Sequence, residues 1–113
     1  MAHSAGYGQP RAVHYLLFYE VVDDYVNRRG PFRAEHIKVA RQAEARGELV
    51  LAGAFANPPD GAVFLFKGSS PVAAETFAAS DPYVRNGLVR RWWVREWTTV
   101  VGREAEVALP PGL

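Results

Sequence analysis

Two residues in this sequence combine acid–base chemistry with settings that plain packing does not require. His36 lies within "RAEHIKVARQAEA", and Asp81 opens "DPYVRNGLV". An imidazole exchanges protons near neutral pH. A carboxylate that accepts one of its N–H groups fixes the tautomer and stabilises the imidazolium, leaving the other nitrogen to take or give a proton. The two residues are 45 positions apart, so only the fold can make them an acid–base dyad. Each also has a plainer reading. A lone inward histidine is commonly a hydrogen-bonded core residue. Asp before Pro is a standard N-cap and first-turn pair, here for a one-turn helix ended by Gly87. The two roles of Asp81 are compatible, because a carboxylate has two oxygens.

Five further residues could line a cleft around such a dyad. Arg33 precedes His36 by three positions, at the edge of the same helix face, where it can hold an anionic group. Tyr83 and Arg85 offer donors to a substrate oxygen or carboxylate, against the default of a tyrosine packed on its own loop and a solvated arginine. Gly53 interrupts a strand, which marks either a bulge or the close approach of a ligand. His14 either faces the cleft or simply begins the first strand. No two histidines stand at i, i+4 and no acidic cluster has calcium-loop spacing, so neither a metal nor another cofactor is expected.

Composition narrows the class. At 113 residues with 49% hydrophobic side chains, the chain suits one domain with its own core. Thirteen basic against twelve acidic residues leave a net charge of +1, which gives no general attraction to nucleic acid or acidic lipid. The absence of cysteine excludes disulfides and thiolate chemistry. No apolar run is long enough to span a bilayer, and "MAHSAGYGQPRA" lacks an apolar signal core, so a soluble cytoplasmic protein is expected.

The elements that must position these residues follow from periodicity. Residues 1–11, rich in Gly, Ser, Ala and Pro, read as a flexible lead-in, residues 12–101 as the domain and residues 102–113 as a tail that either adds a strand to a dimer or is disordered. "AVHYLLFYEVV" alternates apolar residues on both sides: Val13, Tyr15, Leu17 and Tyr19 on one, Leu16, Phe18 and Val22 on the other. "DDYVNRRG" reads as a polar connection. A helix from about 31 to 46 places Phe32, Val39, Ala40 and Ala43 on one face around His36. Strands over 48–56 and 62–68 form a hairpin across "NPPDG", a second helix follows Ser70-Pro71, and the last strand spans 88–101.

The order β-α-β-β-α-β folds most simply as an α+β, ferredoxin-like antiparallel sheet with both helices on one face. The first and last strands are apolar on both faces, while the helices cover one. The other face therefore predicts a homodimer built sheet to sheet.

"RAEH" on the first helix, "GELVLAGAFANPPDGAVFLF" in the hairpin and "FAASDPYVRNGLV" before a Trp- and Arg-bearing last strand resemble the YciI-like (YCII-related) family. The resemblance covers residues 12–100, and its most specific element is "DPYV" followed closely by Gly-Leu-Val. It implies a dimeric α+β barrel of ferredoxin-like protomers, each with a cleft holding a His and Asp pair proposed as the active site. His36 matches the helix histidine, Asp81 the aspartate of the DPY motif, and Arg33 a basic position ahead of the histidine. It further implies action on small organic molecules, including dehydrochlorination of hydroxylated aromatics.

The reading that results is a small-molecule enzyme of the isomerase, lyase or lactone-hydrolase type, with His36 and Asp81 catalytic and Arg33, Tyr83, Gly53 and His14 lining the substrate site. The alternative is a non-catalytic small-molecule binder or partner-interaction domain. RNA-recognition domains share the element order, but "GAVFLFKG" lacks their basic-Gly-aromatic-Gly strand, so no nucleic-acid partner is expected.

Overall fold

The first strand is dense in β-branched and aromatic residues, and its neighbours arrange themselves around it. The computed structural model describes residues 12–113, so the lead-in expected over residues 1–11 lies outside the described residues. The chain runs through β1 (Val13–Val21), α1 (Tyr25–Arg28), α2 (Gly30–Ala45), β2 (Leu49–Ala54), β3 (Gly61–Gly68), α3 (Val72–Ser80), α4 (Pro82–Arg85) and β4 (Val89–Trp97). The four strands form one sheet in the order β2-β3-β1-β4, with every neighbouring pair antiparallel. This is the ferredoxin-like α+β plan.

Strand parity decides what each face does. Tyr15, Leu17, Tyr19 and Val21 of β1 and Phe64 and Phe66 of β3 are buried together with Ala43 of α2 and Ala74, Phe77 and Ala78 of α3. Leu17 is 0% and Phe66 1% exposed. Side chains buried so fully contribute about 1.5–3 kcal/mol each. On the opposite face Phe18 stacks on its cross-strand partner Trp93, centroids 5.3 Å apart, and the Arg91 guanidinium lies over the Trp93 ring.

Elements differ from the sequence reading mainly at their ends. "DDYVNRRG" is not only a polar link: it contains the one-turn helix α1, which buries Tyr25. β4 ends at Trp97, short of the expected Val101, because residues 98–107 turn back on themselves. There Thr99 accepts from the backbone N–H groups of Glu106, through its hydroxyl, and of Val107, through its carbonyl. The tail beyond forms turns rather than another strand.

The hairpin is pinned by a close approach. A Cβ at Gly61 would collide with the backbone carbonyl oxygen of Tyr19, so only glycine lets β3 begin there without displacing β1. Strand register at Tyr19 therefore depends on a residue outside the site that Tyr19 serves.

Candidate active site

Asp81 is the hub of a buried network. It caps α4, accepting the Tyr83 backbone N–H at 3.0 Å through Oδ1, as Asp before Pro leads one to expect. The same oxygen lies 2.9 Å from His36 Nδ1 on α2. Oδ2 accepts the Tyr19 hydroxyl from mid-β1 at 2.6 Å. The carboxylate is 0% exposed, so each of these bonds replaces water that it lost on folding. α4 itself ends before Gly87, whose φ of 77° is the left-handed stop that a residue with a Cβ adopts at a cost.

Protonation follows from these donors and acceptors. Burial and the adjoining Asp81 charge hold the Tyr19 hydroxyl far above its ordinary range, so it stays protonated and donates. With Tyr19 and the Tyr83 N–H both donating, an ionised Asp81 accepts from Nδ1–H of His36. The neutral imidazole then carries its lone pair on Nε2.

The His36 ring is clamped. It stacks on Tyr83 with centroids 3.8 Å apart and planes 8° from parallel, while Phe64 and Phe77 meet it edge-on at 6.2 and 6.4 Å. Among the described residues Glu106 Oε1 is the buried side-chain polar atom left without a partner. His36 Nε2 has no partner either, and must therefore be open to the cavity that the ring lines.

That cavity has a volume of about 230 Å³. Its chemistry comes from Tyr25, Arg29, Arg33, His36 and Tyr83, and its walls from small and apolar residues of α2, β2 and β3. The Tyr83 hydroxyl is likewise open. Burial and the neighbouring Tyr25 push it up to about 12, against the downward pull of the Arg33 and Arg29 charges, so at neutral pH it is a donor.

Of the six residues expected at the site, His36, Asp81, Arg33 and Tyr83 are brought together. Gly53 also lines the cavity, and the irregularity in the β2–β3 register falls between Leu49 and Leu51 rather than at Gly53. His14 is not at the site. It shares the helix-free face with Leu16 and Phe18, is buried, and meets Thr99 Oγ1 at 2.7 Å. Arg85 is exposed at the end of α4 and does not line the cavity.

Tyr19, Tyr25 and Arg29 were not singled out from the sequence. For Tyr19 a signal existed: a tyrosine on the buried parity of a strand needs a hydrogen-bond partner inside the core. Tyr25 and Arg29, at i and i+4, stood in a segment read as a connection. Among the described residues no three His, Cys, Asp or Glu side chains converge as a metal-binding group.

The profile of the YCII-related domain matches residues 13–98. The chain belongs to this family. Among solved structures, 5-chloro-2-hydroxyhydroquinone dehydrochlorinase from Burkholderia phenoliruptrix, in complex with 2,5-dihydroxybenzoquinone, superposes with a TM-score of 0.65 at 16% identity, covering 77% of this chain and 95% of that one. A putative antibiotic biosynthesis monooxygenase from Bacteroides thetaiotaomicron gives 0.53 at 14% identity, covering 88% and 97%. A NIPSNAP family protein from Agrobacterium tumefaciens gives 0.52 at 13%, covering 80% and 94%. At these identities the likeness is one of fold. No curated protein matches the chain in sequence. No helix among the described residues is long and apolar enough to cross a membrane.

Proposed function

We propose that this YCII-related protein is an acid–base enzyme acting on a small cyclic or aromatic substrate, with His36 and Asp81 as its dyad. One observation carries the reading: an imidazole tied through Nδ1 to a fully buried carboxylate presents Nε2 to a ring-sized cavity. Nε2 takes a proton from the substrate, and Asp81 orients the ring and offsets the charge of the imidazolium. Tyr83 donates to a substrate oxygen, and Arg33 holds an anionic group. In an elimination the C–H pair becomes the new double bond as the leaving group departs with its own electron pair. Isomerisation and lactone opening need the same parts. The fold-level neighbour that is a dehydrochlorinase bound to a dihydroxybenzoquinone supports a ring substrate.

The test is a screen of hydroxylated aromatics and lactones against wild type, His36→Ala and Asp81→Asn. Turnover lost in both variants with ligand binding retained supports the enzyme. Binding without turnover in wild type would leave a non-catalytic binder.

We also infer a homodimer joined through the helix-free face of the sheet. Leu16, Leu65 and Leu51 lie side by side across three strands of that face, next to Phe18, Trp93 and Trp97. Leu51 is 71% and Trp97 47% exposed, an apolar surface that a second copy would cover. Sedimentation at micromolar concentration should give a dimer, and Trp93→Asp should split it by burying an unpaired charge. A stable wild-type monomer would refute the arrangement.

A further inference from the structure

Arg29 and Arg33 stand one turn apart at the start of α2, and both line the cavity beside His36. Four other arginines pair with acids, Arg28 with Asp24, Arg46 with Glu48, Arg90 with Asp23 and Arg91 with Glu20, whereas among the described residues Arg41, Arg85, Arg95 and Arg103 do not, so what sets Arg29 and Arg33 apart is that they share one cavity. Among the described residues neither Arg29 nor Arg33 has a carboxylate partner. No Asp or Glu lines the cavity, and Asp81 lies behind the His36 ring with its oxygens committed to Tyr19, Tyr83 and His36. Two like charges at i, i+4 repel, so this arrangement is unfavourable until an anion enters between them. The first turn of α2 adds to the same sign, since it holds no acidic residue and no side chain caps it.

The rest of the cavity defines what carries the anion. The Arg29 guanidinium is held over the Tyr25 ring, 5.3 Å from its centroid, and lies 3.5 Å from the Tyr25 hydroxyl, which orients it before any ligand arrives. Opposite, Ala52, Gly53 and Ala54 of β2 present almost no side-chain bulk, leaving a shallow wall for a flat group. About 230 Å³ accommodates one ring with its substituents. It falls below the range usual for drug-sized ligands, and so below a nucleotide. A planar anion that two guanidinium groups can grip in a fork is a carboxylate.

We propose that the ligand is a single-ring carboxylic acid in its anionic form, its carboxylate held between Arg29 and Arg33 and its ring lying along β2 toward His36. This rests on the cavity being the substrate site. It adds Arg29 and Tyr25 to that site and distinguishes a ring carboxylate from a neutral hydroxylated ring. Because His36 follows Arg33 by one turn, the anchored ring turns its far side toward Nε2, away from the anchored group.

The experiment is calorimetric titration at neutral pH and low salt with benzoate and 2-hydroxybenzoate, against phenol, hydroquinone and acetate. The proteins are wild type, Arg29→Gln, Arg33→Gln and His36→Ala, each checked for wild-type circular dichroism. Aromatic carboxylates should bind wild type more tightly than phenol, hydroquinone or acetate. Each arginine variant should weaken them by roughly ten- to a hundredfold, the range for loss of a charge-assisted hydrogen bond, and leave the phenols unchanged. His36→Ala should retain carboxylate binding even where turnover is lost, so failure of the clamp and failure of the proton-transfer reading give different results. Phenols that bind as well as benzoates, arginine variants with undiminished carboxylate affinity, or no aromatic carboxylate bound at millimolar concentration would each overturn the proposal.

Discussion

Replacing Asp81 in two ways separates its structural work from its charge. Asp81→Ala removes the α4 cap and strips a partner from the buried Tyr19 hydroxyl, the Tyr83 N–H and His36 Nδ1 at once. Loss of a cap costs about 1 kcal/mol and an orphaned buried hydroxyl about 1–3 kcal/mol, so the variant should be destabilised by about 2–4 kcal/mol. For a domain of this size that lowers the melting temperature by roughly 8–16 °C. Asp81→Asn differs. Its amide oxygen can sit at Oδ1 and accept from Tyr83 and His36, while its NH₂ group replaces Oδ2 and donates to the Tyr19 oxygen once that hydroxyl rotates. Asn caps helices about as well as Asp, so the cost should stay within about 1 kcal/mol.

Thermal melts followed by circular dichroism measure both. Long-range ¹⁵N–¹H spectra of the imidazole add a readout that stability alone does not move. Neutral His36 in wild type should carry its proton on Nδ1, and Asp81→Ala should lose that bias. If Ala and Asn lower the melting temperature equally, or if neutral wild-type His36 holds its proton on Nε2, the assignment of Asp81 as an ionised acceptor is wrong.

Three other perturbations bear on the same network. Tyr19→Phe keeps the ring and leaves buried Oδ2 without its donor; a hydrogen bond to a charged group is worth about 1.5–3 kcal/mol, and chemical denaturation should show a loss of that size. Gly61→Ala, outside the cavity lining, should destabilise by about 1–3 kcal/mol, as overpacking does, because the new Cβ must push the Tyr19 carbonyl aside; an unchanged denaturation midpoint would contradict the register described. The Tyr83 hydroxyl, up at about 12 when folded against about 10 unfolded, makes no pH-dependent difference below pH 10. Above that the unfolded chain releases the proton first, so the Tyr83 contribution should lower stability as pH rises from about 10 to about 12 and then level off, on top of a loss from Tyr19, whose hydroxyl is raised further and keeps lowering stability above that window. Tyr83→Phe should flatten that slope in alkaline melts, and an identical slope in the variant would rule the assignment out.

What the sequence determined by itself was local and periodic. Alternation in "AVHYLLFYEVV", the turn residues of "NPPDG" and the apolar spacing around His36 each depend on neighbours within a few positions, and together they give the α+β order. "DPYVRNG" specified the cap and the Gly87 stop for the same reason. Even the place of His14 could be read from parity: it alternates with Tyr15 and so shares the face of Leu16 and Phe18, away from the helices.

Tertiary structure decided which of these residues meet. Tyr19 reaches Asp81 across 62 positions, because β1 runs through the centre of the sheet beneath the junction of α3 and α4. Nothing local distinguishes that tyrosine from Tyr15 on the same parity. Tyr25 and Arg29 were hidden for a different reason. Polarity labels "DDYVNRRG" as a connection, whereas the turn of helix that aims both side chains into the cavity is stabilised by packing of Tyr25 against Tyr83, a residue 58 positions away. An isolated turn of four residues cannot hold itself in water, so its presence, and the positive end of the site with it, depends on contacts that exist only once the chain has folded.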